Sequence, residues 1–184
     1  MDGTLTEPTL DFSRIKREMG LGDVPILEAL AEMSADERRA AETILHRYED
    51  EAARLSTLNP GCHDVLSLLD AKGIRTALIT RNSRASVKTV LAAHGLKINV
   101  LITREDAAPK PHPEPLLQAC RRLEVRPHAA WMVGDGEFDI RAASNAGIRS
   151  VWVRHRRQRH FPETPWREVA DLWELHNLLR ECHR

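Results

Sequence analysis

From Asn59 onward the sequence alternates short apolar runs with capped helical segments, and this alternation constrains the fold more than any other feature. CHDVLSLLDAKG reads as an amphipathic helix stopped by Gly73, and IRTALIT as a β-rich run. SRASVKTVLAAHG is a helix stopped by Gly95, followed by the run INVLIT and the helix PEPLLQACRRL. AAWMV, DIRAASNAG and SVWV then repeat the pattern of run, helix and run. Short apolar runs separated by helices mark βαβ units, and the crossover helices make the sheet parallel. The expected fold is therefore α/β, a Rossmann-like doubly wound parallel sheet. The C-terminal WREVADLWELHNLLREC is expected to add one final helix.

Upstream of Asn59 the pattern is helical only. DFSRIKREMG offers Asp11 as an N-cap and Gly20 as a stop, and PILEALAEM places Pro25 at the first turn of a second helix. Ser34 and Glu37 form a capping box ahead of a long stretch without Gly or Pro, which NPG at Asn59–Gly61 ends. The expected organisation is an α/β core from residues 1–7 and 59–184, with a helical insert at residues 8–58.

Charge and composition narrow the partners. Lys+Arg and Asp+Glu both number 27, so no net charge draws the whole chain to nucleic acid or to an anionic membrane. No apolar run approaches the roughly 18–20 residues of a membrane span. Cys62, Cys120 and Cys182 are scattered thiols, expected as small buried hydrophobes in a reducing, cytoplasmic setting. The nine His show no zinc spacing. The basic run RHRRQRH, Arg154 to His160, lacks the interleaved aromatics of a nucleic-acid patch and reads as a solvated loop.

In an open parallel sheet, chemistry collects at the carboxyl ends of the strands. Thr80, Arg81 and Asn82 follow one run, Lys110 lies in the loop after the next, and Asp135 and Asp139 follow AAWMV. Asp2 stands in the opening DGT. Each has a plain structural reading: Thr80 facing a helix start, Lys110 in a solvated loop, Asp135-Gly136 as a turn and Asp139 as an N-cap. Together on one sheet edge they supply carboxylates for a hard cation such as Mg²⁺, an ammonium and a hydroxyl for a phosphate, and a proton shuttle.

Taken in order, MDGTLT, ALIT, KPHP and GDGEFD resemble the four motifs of the haloacid dehalogenase (HAD) superfamily of phosphohydrolases. NPGCHDVLSLLDAKGIRTALITRN is similar to the stretch after the helical cap in phosphoglycolate-phosphatase-like members. The resemblance spans nearly the whole chain. It implies that residues 8–58 are a small cap, that Asp2 is the acid/base, and that Thr80 and Lys110 hold the phosphoryl oxygens. It further implies the Asp2 backbone carbonyl and Asp135 as Mg²⁺ ligands, with Asp139 supporting the metal or orienting Lys110. Arg81 and Asn82 are expected beside the substrate.

The family's first motif is an apolar strand ending D-x-D-G-T, and MDGTLT resembles it from the x position onward. The nucleophilic Asp and the strand bearing it are therefore expected immediately ahead of Met1, so that the sheet lacks its first strand. The function expected of the full-length parent is Mg²⁺-dependent hydrolysis of a small phosphate monoester through an aspartyl-phosphate, by a monomer or weak dimer. Residues 1–184 alone are expected to be inactive. The alternative is a non-catalytic phosphate-ligand or protein-binding module of the same fold.

Overall fold

The computed structural model describes residues 1–155, 158 and 160–181. Arg156, Arg157 and Arg159 of the basic run, and Cys182, lie outside the described residues.

Three helices occupy the insert: α1 (Phe12–Glu18), α2 (Ile26–Glu32) and α3 (Ala35–Arg54). Asp11 caps α1 through the Arg14 N–H, and Ser34 with Glu37 makes the reciprocal capping box of α3. Their apolar faces form a small core of Ile15, Ile26, Leu30, Ala41 and Leu45. The Arg38 guanidinium donates to the carbonyls of Leu30, Ala31 and Met33, satisfying the open end of α2 and tying it to α3.

The βα alternation follows: α4 (Cys62–Ala71), β1 (Ala77–Ile79), α5 (Arg84–Ala93), β2 (Val100–Ile102), α6 (Glu114–Arg122), β3 (Trp131–Gly134), α7 (Glu137–Ala146) and β4 (Arg149–Val153). All strand pairs are parallel. The expected C-terminal helix is corrected at its start. Arg167–Val169 is a strand, β5, paired with β4, and only Leu172–Glu181 is helical, as α8. Three residues of REV extend the sheet edge, where backbone pairing outweighs the helical pattern of the residues that follow.

The sheet is in two pieces, β1-β2 and β3-β4-β5, with no pairing between β1 and β3. A cavity of about 630 Å³ lies against both, reached by Met1 and Leu5 and by the inner faces of α4 and α8. Residues 4–6 are held at its end by Asn59, whose buried side-chain amide donates to the carbonyls of Thr4 and Thr6. The NPG break is thus a clamp on the opening segment as well as a helix stop. Cys62 is buried against this core, and burial pushes its thiol up to about 11.

The insert is anchored to the core by a buried ion pair and by apolar packing, in which Ala53 of α3 joins the cluster of Met1, Leu78, Val87 and Val90. Glu49 of α3 is 3% exposed, pairs with Arg104 after β2, and accepts the Ser83 N–H at the start of α5.

The cavity lies between β1 and β3, where the sequence leads one to expect a further strand. Joining an extended apolar segment of about six residues ahead of Met1 is expected to raise the thermal midpoint by about 5–10 °C in calorimetry. A segment of the same composition interrupted by proline is expected to give no rise. Equal rises from both would show that the cavity is not filled as a strand.

Candidate active site

The site is built where two strands end. Lys110 Nζ donates to the Ile79 carbonyl at the end of β1 (2.9 Å) and to Asp139 Oδ1 on the first turn of α7 (2.6 Å). Asp139 in turn lies against Gly134, the last residue of β3. The carboxyl ends of β1 and β3 therefore meet at one ammonium–carboxylate pair. Both partners are buried, Lys110 to 6% exposure and Asp139 to 8%.

Two glycines make this closeness feasible. Gly3 has φ +75°, and a Cβ there would lie 2.1 Å from Asp135 Oδ2. A Cβ on Gly134 would lie 2.3 Å from the Asp139 carboxyl carbon. Any side chain at either position would displace a carboxylate, which explains the glycines of DGT and of VGDGEFD on steric grounds.

Asp2 is held by two donors: Thr6 Oγ1 to Oδ1 at 3.3 Å and Asn82 Nδ2 to Oδ2 at 2.6 Å. Thr4 Oγ1 donates to Asp135 Oδ1 at 3.1 Å. His155 Nε2 donates to the Gly3 carbonyl at 2.7 Å, which fixes a proton on that nitrogen and braces the opening turn from the end of β4. Thr80 is buried, and its hydroxyl oxygen accepts the Asn82 N–H at 3.1 Å, orienting the 80–82 turn.

The charges of these groups act on one another. Burial and the charge of Lys110 push the Met1 α-ammonium below its ordinary value, against the opposing pull of Asp2, Asp139 and Asp135. Burial by itself would raise the Asp139 carboxyl. The charge and hydrogen bond of Lys110, with the Met1 ammonium and the Gly136 N–H, outweigh it and hold Asp139 below its ordinary value.

All the residues expected from sequence thus fall in one neighbourhood, in distinct settings. Asp2, Asp135 and the Lys110–Asp139 pair face Met1. Asn82 is spent on Asp2, and Arg81 lies half-buried against the Lys110 carbonyl. Both oxygens of Asp139 are engaged, one by Lys110 and one by the Gly136 N–H, so its geometry matches the orienting role. Among the described residues, no three His, Cys, Asp or Glu side chains gather as a metal set. Asp135 brings a carboxylate beside Gly3 and Asp2 a backbone carbonyl, and one or two carboxylates completed by other oxygens, water and phosphate is the usual protein share of a Mg²⁺ site. Their number and chemistry fit that cation.

Other residues of the site carry no local sequence signal. Glu28 of α2 meets Arg81 across the chain, and Arg81 stacks 4.3 Å over the Phe138 ring while donating to the Lys110 carbonyl. Burial opposes ionisation of Glu28, but the hydrogen bond and charge of Arg81 hold its carboxyl below the ordinary value.

The chain is similar to known proteins in sequence and in fold. A family model for haloacid dehalogenase-like hydrolases matches residues 4–153. A haloacid dehalogenase-like hydrolase domain-containing protein of Arabidopsis thaliana is 32% identical over 161 residues, which cover 80% of this chain and 65% of the relative. A phosphoglycolate phosphatase of Cupriavidus necator is 33% identical over 159 residues, covering 82% of this chain and 69% of its own. The chain thus spans about two thirds of the length of both. In fold it is similar to a hydrolase from Pseudomonas syringae, with TM-score 0.79 and 20% identity over 98% of this chain and 95% of that one.

The Lys110–Asp139 pair makes a pH prediction. A carboxyl depressed in the folded state contributes stability above its unfolded value, near 3.8, and loses it as pH falls through the folded value. Asp139→Asn is expected to cost about 3–5 kcal/mol near neutrality, because it leaves a buried ammonium unpaired. It is also expected to flatten the fall in stability below about pH 4. Denaturant unfolding at several pH values measures both. Parallel acid limbs for the two proteins would contradict the assignment.

Proposed function

The chain belongs to the haloacid dehalogenase-like hydrolases, and we propose that its site is that of a phosphatase for a small phosphate monoester. The observation that carries this reading is the buried Lys110 ammonium, set at the junction of two strand ends beside Thr80 and Asp2. A buried cation fixed by a carboxylate and a carbonyl is preorganised for an anion, with little reorganisation left to make on binding. Thr80 offers a hydroxyl to the same anion. The named relatives include phosphoglycolate phosphatases, which supports a small phosphorylated metabolite as substrate.

Each residue then has a task. Lys110 and Thr80 hold phosphoryl oxygens, and Asp139 keeps Lys110 in place. Asp2, aligned by Thr6 and Asn82, carries the proton to the leaving oxygen and takes one from the attacking water. The Asp135 carboxylate and the Asp2 backbone carbonyl would hold Mg²⁺, which would offset charge on the transferring phosphoryl group. The helical segment at residues 8–58, anchored through Glu49, serves as the cap.

Transfer through an aspartyl-phosphate needs one more carboxylate, at the position preceding Met1. Within residues 1–184 the α-nitrogen of Met1 stands at that edge of the site, next to Lys110. The carboxylates nearby are already committed, Asp2 to Thr6 and Asn82, and Asp139 to Lys110. This favours a second reading for residues 1–184 alone: a module that binds phosphate esters without turning them over.

Residues 1–184 with Mg²⁺ are expected to hydrolyse p-nitrophenyl phosphate no faster than background. An apolar strand ending in Asp, joined directly ahead of Met1, is expected to bring activity. The same strand ending in Asn is expected to keep the stability gain and lose on the order of 10⁴ in rate. Enzyme-like turnover by residues 1–184, unaffected by Asp2→Asn, would overturn the mechanism. An extended protein that folds and binds Mg²⁺, but hydrolyses nothing in a broad ester panel, would leave the binding module in its place.

A further inference from the structure

Glu28 lies on α2, within the insert, yet its carboxylate reaches the core site with both oxygens. Arg81 Nη1 donates to Oε1 at 2.9 Å and Nη2 to Oε2 at 2.6 Å. The guanidinium is held on its other sides: its face stacks on Phe138, and Nη1 also donates to the Lys110 carbonyl. Its two-nitrogen edge is therefore presented in a fixed orientation, and an internal carboxylate fills it. A planar guanidinium offers that edge equally well to a carboxylate and to a phosphate.

Position makes the exchange specific. Arg81 follows Thr80 directly and touches the main chain of Lys110, so an anion held by Thr80 and Lys110 comes within reach of the same guanidinium. Among the described residues, the Glu28–Arg81 bonds are the only hydrogen bonds between α2 and the core; on its other side the α2 carbonyls of Leu30 and Ala31 accept from Arg38 of α3. The anchor of α3 is separate, through Glu49, Arg104 and Ser83. The insert thus has fixed attachments along α3 and one attachment made by α2 on the site itself.

We propose that Glu28 is a built-in competitor for the phosphate site: it occupies Arg81 when no anion is bound, and a phosphoryl group between Thr80 and Lys110 takes Arg81 from it, freeing α2 from the core. The proposal rests on the phosphate reading of the site and adds to it a residue of the insert that sets affinity and couples occupancy to the insert's position. Neutralising Glu28 removes both the competitor and its repulsion of the incoming anion.

The test is a titration of residues 1–184 with inorganic phosphate in the presence of Mg²⁺, followed by amide and Arg81 side-chain nitrogen resonances. The proteins compared are the wild type, Glu28→Gln, Arg81→Lys, the double variant of these two, and Lys110→Ala. Glu28→Gln is expected to bind phosphate about fivefold more tightly, the scale of one partly exposed ion pair. α2 amides are expected to shift with phosphate in the wild type, and to start near the phosphate-bound positions in Glu28→Gln. The gain is expected to vanish on the Arg81→Lys background, because the fork is gone. Unchanged or weaker phosphate binding by Glu28→Gln, or a gain that survives Arg81→Lys, overturns the competition while leaving the phosphate site standing. Absence of saturable binding, or binding indifferent to Lys110→Ala, overturns the phosphate site and the competition with it.

Discussion

A lysine ammonium taken out of water must find a partner, and in this protein the partner determines where everything else stands. Lys110 is buried between the Ile79 carbonyl and the Asp139 carboxylate. Separating the two charges inside the protein costs several kcal/mol, far more than one surface ion pair supplies. The end of β1, the loop after β2 and the start of α7 are therefore fixed relative to one another by a single contact. Gly134 and Gly3 let the neighbouring backbone close around it without a side chain in the way.

Around that pair the polar residues divide into those that hold the site and those that stay available to a ligand. Asn82, Thr6 and Thr4 spend their donors on Asp2 and Asp135. His155 braces the carbonyl of Gly3 from just beyond the end of β4. The insert is bound to this core in two unlike ways. Glu49 and Arg104 form a buried pair whose loss would strand a charge, which makes a durable anchor. Glu28 and Arg81 form a more exposed pair, which a competing anion can replace.

Much of this was legible in the sequence where the cause is local. The capping box of Ser34 and Glu37, the Asp11 cap and the βα alternation after Asn59 arise from residues a few positions apart, and each appears as expected. Placement of Asp2, Thr80, Lys110, Asp135 and Asp139 on one edge followed from the rule that strand ends converge. What the sequence left hidden is long-range. Nothing in PILEALAEM marks Glu28 as the residue that crosses to Arg81, since its partner is 53 positions away. The Arg167–Val169 strand was read as helix because the amphipathic pattern of Leu172–Glu181 extends naturally over it; only pairing with β4 reveals it. Asn59 looked like part of a helix stop, and its buried bonds to Thr4 and Thr6 depend on a segment more than fifty residues earlier.

The central claim is that Lys110, fixed by Asp139, is the anion-binding focus of the fold. A crystal structure of residues 1–184 grown with Mg²⁺ and inorganic phosphate tests it most directly. The account predicts a phosphate oxygen about 2.7–2.9 Å from Lys110 Nζ, a second within hydrogen-bond distance of Thr80 Oγ1, and an intact Lys110–Asp139 pair. Phosphate bound elsewhere with Lys110 still buried, or Lys110 withdrawn from Asp139 to reach it, would contradict the account.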